Sequence, residues 1–184
     1  MRQNLSILVE NQSGVLTRIA NLFSRRGYNI ESLAAGVTQN SSVTRITVGV
    51  DCDDIQVVQL VKQLHKVPVV LRVKKLASGS HFSRELVFIK VTSDAESRTG
   101  ILQIVDIFRG HIIDVSPETI TIEISGSDDK INALIELLKP YGILEMVRTG
   151  MIAIERGNRI LSLSQKTDDS PSDTEDTEET TDRK

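Results

Sequence analysis

The sequence is poor in aromatic residues and in cysteine, and both shortages limit what the chain can be. Aromatic residues make up 3% of its 184 residues and tryptophan is absent, whereas hydrophobic residues as a group reach 39%. A core built from this chain must therefore be aliphatic. Cys52 is the only cysteine, which excludes an internal disulfide and a four-thiolate zinc site.

The chain also lacks an excess of positive charge and a long hydrophobic run. Its formal net charge is -3, which argues against a nucleic-acid binder. Eight acidic and three basic residues leave the segment 161–184 at -5 and the remainder at +2. No apolar run approaches the roughly 18 residues of a membrane helix, and the start does not look like a signal peptide. We expect a cytoplasmic protein, or one of the plastid stroma if a transit peptide has been removed.

The first half alternates strands and helices in the order of a βαββαβ unit. The run NLSILVE alternates apolar and smaller or polar residues and predicts a strand. A helical spacing of apolar residues begins after Gly14, and Gly27 predicts where that helix ends. A second helix is expected after a cap at Asp53 or Asp54. The residues expected on the buried face of this second helix are Ile55, Val58, Val61 and Leu64.

The second half repeats the same order after a short polar segment. The run TGILQIVDIF predicts a helix, and Pro140 with Gly142 ends a later one. The run ILEMVRTGMIAIE is expected to form one last strand. The fold class predicted is α+β, with two ferredoxin-like domains at 1–76 and 84–160, a linker at 77–83 and a disordered acidic tail at 161–184.

The loop NQSG, residues 11–14, invites three interpretations. It lacks the glycines and the lysine of nucleotide-binding loops, so a phosphate site is disfavoured. A Ser13 cap, with Gly14 relieving crowding, would explain the pattern without any ligand. The third interpretation is an α-amino-acid site, in which free N–H groups of the helix start bind the carboxylate and the Asn11 carbonyl binds the ammonium group.

An amino-acid site would draw on both ends of the first helix. Val15, Leu16 and Ile30 are candidates for an apolar wall, and Asn29 offers a second amide. A helix of about 12 residues is about 18 Å long, so one small ligand cannot touch both ends. The two segments can share a ligand only if they come from different subunits, as in a symmetric dimer.

The stretch NQSGVLTRIANLFSRRGYNIESLA resembles the regulatory small subunits of acetolactate (acetohydroxyacid) synthase, and the resemblance covers residues 2 to about 160. It implies an N-terminal ACT domain and a non-catalytic homodimer that activates a thiamine-diphosphate-dependent large subunit. It also implies feedback inhibition by valine, leucine or isoleucine at the ACT–ACT interface. Carried onto this chain, that site has Asn11, Gly14, Val15 and Leu16 from one subunit and Asn29 and Ile30 from the other. Thiamine diphosphate, Mg and FAD are expected in the large subunit and no cofactor in this chain.

The other polar residues give no constellation for catalysis. His65, His81 and His111 are too scattered to suggest a metal site, and Asp53 with Asp54 fits a helix cap better than acid–base chemistry. A ferredoxin-like RNA-binding module is opposed by the charge and by the shortage of aromatic residues. The remaining alternative is a stand-alone ACT-type amino-acid sensor that acts on another enzyme.

Overall fold

The first half of the chain forms an antiparallel sheet with two helices on one face. The computed structural model describes residues 2–77 and 79–163. The elements of this half are β1 (Arg2–Glu10), α1 (Val15–Arg25), β2 (Ile30–Val37), β3 (Val43–Asp51), α2 (Asp54–Leu64) and β4 (Val70–Lys75). The strands lie in the order β2-β3-β1-β4, so β2 and β4 are the edges of the sheet.

Alternation along β1 divides the two faces of this sheet. Leu5, Ile7 and Val9 point towards the helices and lie fully buried in the first core. Asn4, Ser6 and Leu8 therefore point to the opposite face, because successive side chains of a strand alternate. From α1 the core receives Ile19 and Phe23 among others, and Phe23 meets the ring of Tyr28 edge-on at 6.4 Å.

Two of the predicted helix boundaries are confirmed by their backbone geometry. Gly27 has a φ of 71° directly after α1, the left-handed conformation in which glycine carries no steric penalty. Asp53 is the N-cap of α2, where its carboxylate accepts a hydrogen bond from the Gln56 amide at 2.7 Å. The Gln56 side chain accepts in return from the Asp53 amide at 3.0 Å, which completes a capping box.

The predicted buried face of α2 is confirmed for Leu64 and Val61 and is wrong for Ile55 and Val58. The helix buries Val57, Leu60 and Leu64, whereas Ile55 is 73% exposed and Val58 is also exposed. The reason is geometric: the predicted set advances by three residues each time, and a helix turns about 100° per residue. Nine residues separate Ile55 from Leu64, so they lie on opposite sides of α2. Leu60 and Leu64 lie four apart and share one side.

This correction predicts a large difference between two truncations on the same helix. Leu60→Ala should lower the free energy of unfolding by about 2–5 kcal/mol, because it leaves a cavity in the core. Ile55→Ala should change it by less than about 0.5 kcal/mol, since the side chain is already in water. Urea unfolding followed by circular dichroism measures both, and equal effects would contradict the buried face described here.

The second half forms another antiparallel sheet with two helices. Its elements are β5 (His81–Thr92), α3 (Arg98–Ile107), β6 (His111–Val115), β7 (Thr119–Gly126), α4 (Asp128–Leu138), a 3-10 turn (Lys139–Tyr141), β8 (Ile143–Arg148) and β9 (Ile152–Glu155). The strand order is β6-β7-β5-β8, and β9 pairs with residues 81–84 of β5. The predicted α+β class with two βαββαβ units is confirmed. The buried cluster of this half is wholly aliphatic.

Two boundaries of the second half differ from the prediction. The run 143–155 forms two strands rather than one, because the chain turns at Gly150, where φ is 79°. The segment 77–83, expected to be a linker, already contains the start of β5 at His81, which has a pairing partner in β9. The predicted disordered tail lies, from residue 164 onwards, outside the described residues. Among the helices within the described ranges, none is long and apolar enough to cross a membrane.

Candidate functional site

The loop before α1 takes its shape from Gly14. This residue is the N-cap of α1 and has a φ of 80°, a conformation that strains residues with a Cβ. A Cβ added at Gly14 would meet no atom within 4 Å. Glycine is therefore required here by backbone conformation and not by crowding, and the space beside it is open.

The helix start beyond Gly14 carries no side-chain cap. The interpretation of Ser13 as a cap is therefore wrong, and no acidic residue lies in the first turn of α1. The first helical amides have no intrahelical acceptor. In α2, by contrast, the Asp53–Gln56 box supplies one. The start of α1 thus presents unpaired N–H groups and the positive end of the helix dipole, both of which suit a carboxylate.

Asn11 is held at the mouth of this loop by the hairpin between β2 and β3. Its Nδ2 donates a hydrogen bond to the carbonyl of Ser41 at 2.8 Å, and its backbone amide donates to the carbonyl of Ser42 at 2.8 Å. This bond uses one of the two Nδ2 hydrogens and fixes the orientation of the amide, and Oδ1 remains as an acceptor. The side chain is oriented and still has an oxygen to offer to a donor.

Val15 and Leu16 face different ways at the first turn. Val15 is 5% exposed and belongs to the first core, so its side chain does not line an external site. Leu16 is 47% exposed and remains available as an apolar contact. Of the predicted apolar wall on this side, Leu16 provides the side chain and Val15 only its backbone.

Asn29 and Ile30 lie at the other end of α1, where the edge strand β2 begins. Asn29 is exposed, and its side chain makes no hydrogen bond to any residue that the structure describes. Ile30 is half-buried and packs against the first core. This pair therefore offers one free amide beside an anchored aliphatic surface.

The structure does not bring the two segments together within one chain. Asn11 bonds to Ser42 just before β3, and Ile30 lies opposite Val50 near its end. Seven residues of β3 separate Val43 from Val50, which corresponds to about 23 Å of strand. None of the six predicted residues lines any of three surface cavities in the described part of the chain. The six residues lie in two groups at opposite ends of the sheet, and we call these groups the two candidate half-sites.

The other titratable residues do not assemble into a reaction centre. In the described part of the chain, no group of three or more His, Cys, Asp or Glu residues could hold a metal. Cys52 is buried, and burial, with a smaller effect of Asp53, raises the pKa of its thiol. A hydrogen bond from Lys75 lowers the pKa of the Asp54 carboxyl. These shifts follow from packing and surface pairing.

One residue near the second half-site was not indicated by the sequence. Arg2 lies against β2, where its Nη2 donates to Ser32 Oγ at 3.1 Å and its Nε lies 3.7 Å from Glu31 Oε2. No local pattern marks an arginine at the start of a strand as functional. Its position follows from the pairing of β1 and β2 on either side of β3.

Comparison with known families divides the chain in the same way as the two sheets. A model described as the AHAS small subunit-like ACT domain matches residues 5–72, and one described as the small subunit of acetolactate synthase matches residues 84–157. Both matches stop short of the acidic segment.

Curated relatives and a solved structure agree with these matches. The acetolactate synthase small subunit of Aquifex aeolicus is 49% identical over 153 residues, covering 83% of this chain and 80% of that protein. A probable acetolactate synthase small subunit of Archaeoglobus fulgidus is 43% identical over 159 residues, covering 86% and 99%. The crystal structure of the small subunit from Thermotoga maritima superposes with a TM-score of 0.79 at 39% identity, covering 86% and 99%. With its ACT-type first half and this degree of identity along both halves, the chain belongs to the acetolactate synthase small-subunit family.

Proposed function

We propose that this chain is a regulatory subunit that activates the catalytic large subunit of acetolactate synthase and makes it sensitive to a branched-chain amino acid. Valine is the first choice of effector, with leucine or isoleucine as the others. The chemistry belongs to the thiamine-diphosphate-dependent large subunit, with its Mg and FAD, and we propose no cofactor for this chain. We place its action in the cytoplasm, in keeping with a lone, buried cysteine and no disulfide.

The observation that supports this proposal is the position of the two half-sites relative to the free edge of β2. If two β2 strands pair antiparallel about a two-fold axis, the start of one lies opposite the end of the other. The end of β2 at Val37 lies opposite Thr44, next to the hairpin that holds Asn11. Such a homodimer therefore brings Asn29 and Ile30 of the partner subunit to the loop of Asn11 and Gly14.

The composite site matches the groups of a branched-chain amino acid. The amides of the first turn of α1 bind the carboxylate. The ammonium group donates to Oδ1 of Asn11 and to the side-chain amide oxygen of the partner subunit's Asn29. Leu16 and the partner subunit's Ile30 enclose the aliphatic side chain, and burial of an isopropyl group contributes about 1.5–3 kcal/mol. Each group of the ligand thus has a partner of matching chemistry.

We expect the purified homodimer to bind valine and to discriminate strongly against alanine. Alanine lacks two of the carbons of valine, and each missing carbon in an apolar pocket costs about 1–3 kcal/mol, so alanine should bind at least about 30-fold more weakly. Isothermal titration of valine, leucine, isoleucine and alanine measures this ranking. No binding of any branched-chain amino acid at millimolar concentration would contradict the proposed site.

Reconstitution with the large subunit separates this role from that of an independent sensor. The chain alone should give no acetolactate from pyruvate, and its addition to the large subunit should raise turnover and introduce inhibition by valine. If it binds valine but neither co-purifies with the large subunit nor changes its turnover, a stand-alone ACT-type sensor of another enzyme becomes the better assignment.

A further inference from the structure

The sheet face that carries Asn4, Ser6 and Leu8 has no helix over it, yet it is covered. Ser6 is only 2% exposed. The covering element is the ribbon formed by β9 and residues 81–84 of β5, together with the turn at Gly150. Leu76, Met151 and Ala153 form a small apolar cluster at this contact. The second half of the chain is therefore docked on the open face of the first sheet.

This docked contact leaves polar groups unsatisfied. Five buried side-chain atoms of the described residues have no hydrogen-bond partner, and they are Asn4 Oδ1, Ser6 Oγ, Arg45 Nε, Arg148 Nε and Glu155 Oε2. Three belong to the open face of the first sheet, since Arg45 lies opposite Leu8, and two belong to β8 and β9. The contact is held by this small apolar cluster and by the ion pair between Lys74 Nζ and Glu155 Oε1 at 3.0 Å, and the five unsatisfied atoms oppose it. A modest interaction elsewhere is therefore enough to bias its position.

Arg2 is the residue that ties the start of β2 to the second half. On one side its guanidinium contacts Ser32 and Glu31, as described above. On the other side its Nη1 donates to Asp128 Oδ2, the first residue of α4, at 3.2 Å. Glu31 and Ser32 directly follow Asn29 and Ile30. One side chain thus connects the second half-site with α4.

The polar contacts continue from Asp128 into the second sheet. The Nη1 of Arg148 lies 3.5 Å from Asp128 Oδ1 and 3.6 Å from Glu85 Oε2. Its Nη2 donates to Asn132 Oδ1 at 2.8 Å. Arg148 is on β8 and Glu85 on β5, so a movement of Asp128 reaches two strands of the second sheet.

Gly49 and Gly150 allow close contacts around β2 because neither residue has a Cβ. A Cβ at Gly49 would lie 2.6 Å from Ser32 Oγ and 3.1 Å from Arg2 Nε, so a larger residue would displace the pair. A Cβ at Gly150 would lie 2.9 Å from the carbonyl oxygen of Leu33. The beginning of β2 therefore contacts the second half through both a side-chain bridge and a backbone approach.

We propose that Arg2 couples the amino-acid site to the position of the second half of the chain. This inference rests on the proposed function, because it takes the effector to bind at Asn29 and Ile30. Bound effector restricts the motion of the start of β2. Glu31 and Ser32 then remain in contact with Arg2, and Arg2 stays within hydrogen-bonding distance of Asp128. The docked arrangement is then favoured, and thermodynamic linkage requires docking to strengthen effector binding by the same factor.

The test uses the full chain and four variants: Arg2→Gln, Asp128→Asn, the double variant, and Asp129→Asn as a matched control. Asp129 is the exposed neighbour in the same first turn of α4, so its substitution removes the same charge from the helix start. Hydrogen exchange of residues 149–155, with and without saturating valine, reports docking through a segment that contains none of the proposed effector-binding residues. Calorimetry gives the valine affinity of each variant separately.

We expect valine to slow exchange of residues 149–155 in the natural chain and in Asp129→Asn, but not in Arg2→Gln or Asp128→Asn. Valine affinity should fall about two- to fivefold in the latter two, and the double variant should be no worse than either single one. Equal slowing in all variants would overturn the coupling while leaving the proposed function intact. Failure of the natural chain to bind valine would remove the proposed function, and the coupling with it.

Discussion

Two variants that each bind valine weakly should recover tight binding in part of their sites when they are mixed. Asn29→Ala removes the amide from one half-site and Asn11→Ala removes the oxygen from the other. In a mixed dimer, the intact loop of one protomer meets the intact Asn29 of the partner subunit, while both defects fall together in the second site. Random mixing should therefore restore about a quarter of the valine-binding capacity.

The expected loss in each single variant follows from the chemistry of the bond that is removed. A hydrogen bond to a charged group contributes about 1.5–3 kcal/mol, so each variant should bind valine about 10–150 times more weakly. Neither substitution touches the buried core, because both side chains are exposed. The free energy of unfolding in urea should be unchanged in Asn29→Ala, and it should fall by no more than about 1.5 kcal/mol in Asn11→Ala, which also loses the exposed bond to Ser41.

The mixing experiment needs one control and has one decisive failure. Asn158→Ala removes an exposed amide beyond the last strand and should leave the valine affinity unchanged, alone or mixed. The two weakly binding variants are unfolded together, refolded as a mixture and titrated by calorimetry. If the mixture binds no more valine than its components, the site is not shared between protomers.

The largest effect on stability is expected at Phe23. Its side chain is 1% exposed and packs against Tyr28, so Phe23→Ala should destabilise the first half by about 3–5 kcal/mol. Tyr28 immediately precedes Asn29, and loss of its packing partner should also weaken valine binding. Urea unfolding by circular dichroism gives the first quantity and calorimetry the second.

A conservative variant at the same position separates volume from aromatic geometry. Phe23→Leu keeps most of the buried volume and should cost about 1.5 kcal/mol or less. If Phe23→Ala shifts the free energy of unfolding by less than about 1 kcal/mol, the first core does not depend on this residue as its burial implies.

The predictions from sequence that succeeded rest on local chemistry. Gly27 and Asp53 mark helix ends through backbone conformation and capping, and both depend only on neighbours within a few residues. The alternation in β1 likewise set which side chains face the helices. Patterns that depend only on neighbouring residues can be interpreted without knowledge of the fold.

The predictions that failed did so for two reasons: the α2 face and the Ser13 cap depended on local geometry that the pattern did not fix, and the strand boundaries depended on distant parts of the chain. Ser13 and Gly14 are both ordinary at a helix start, and only the backbone shows that Gly14 is the N-cap. The start of β5 at His81 looked like a linker because its partner β9 lies about 70 residues later. The split between β8 and β9 lies at Gly150, which has a φ of 79° and lies against Leu33 of the first half.

The candidate site shows the same division between local and distant information. The sequence proposed both half-sites and their separation by one helix, the family resemblance assigned them to two subunits, and their binding of an amino acid stays a prediction. It gave no sign of Arg2, whose partner Asp128 is 126 residues away. Contacts between side chains so far apart depend on how the two sheets are placed, which periodicity does not reveal.

The continuity of β5 has a mechanical consequence. Its first four residues belong to the ribbon on the first sheet, and the remainder forms the centre of the second sheet. The twelve residues of β5 span about 40 Å. At the first end of the strand, the side chains of Ser80 and His81 both bond to the carbonyl of Ala77. A rotation of β5 by about 5° about His81 would move Thr92, at the other end of the strand, by about 3.5 Å. Small displacements beside β2 would thereby be magnified at the surface farthest from it.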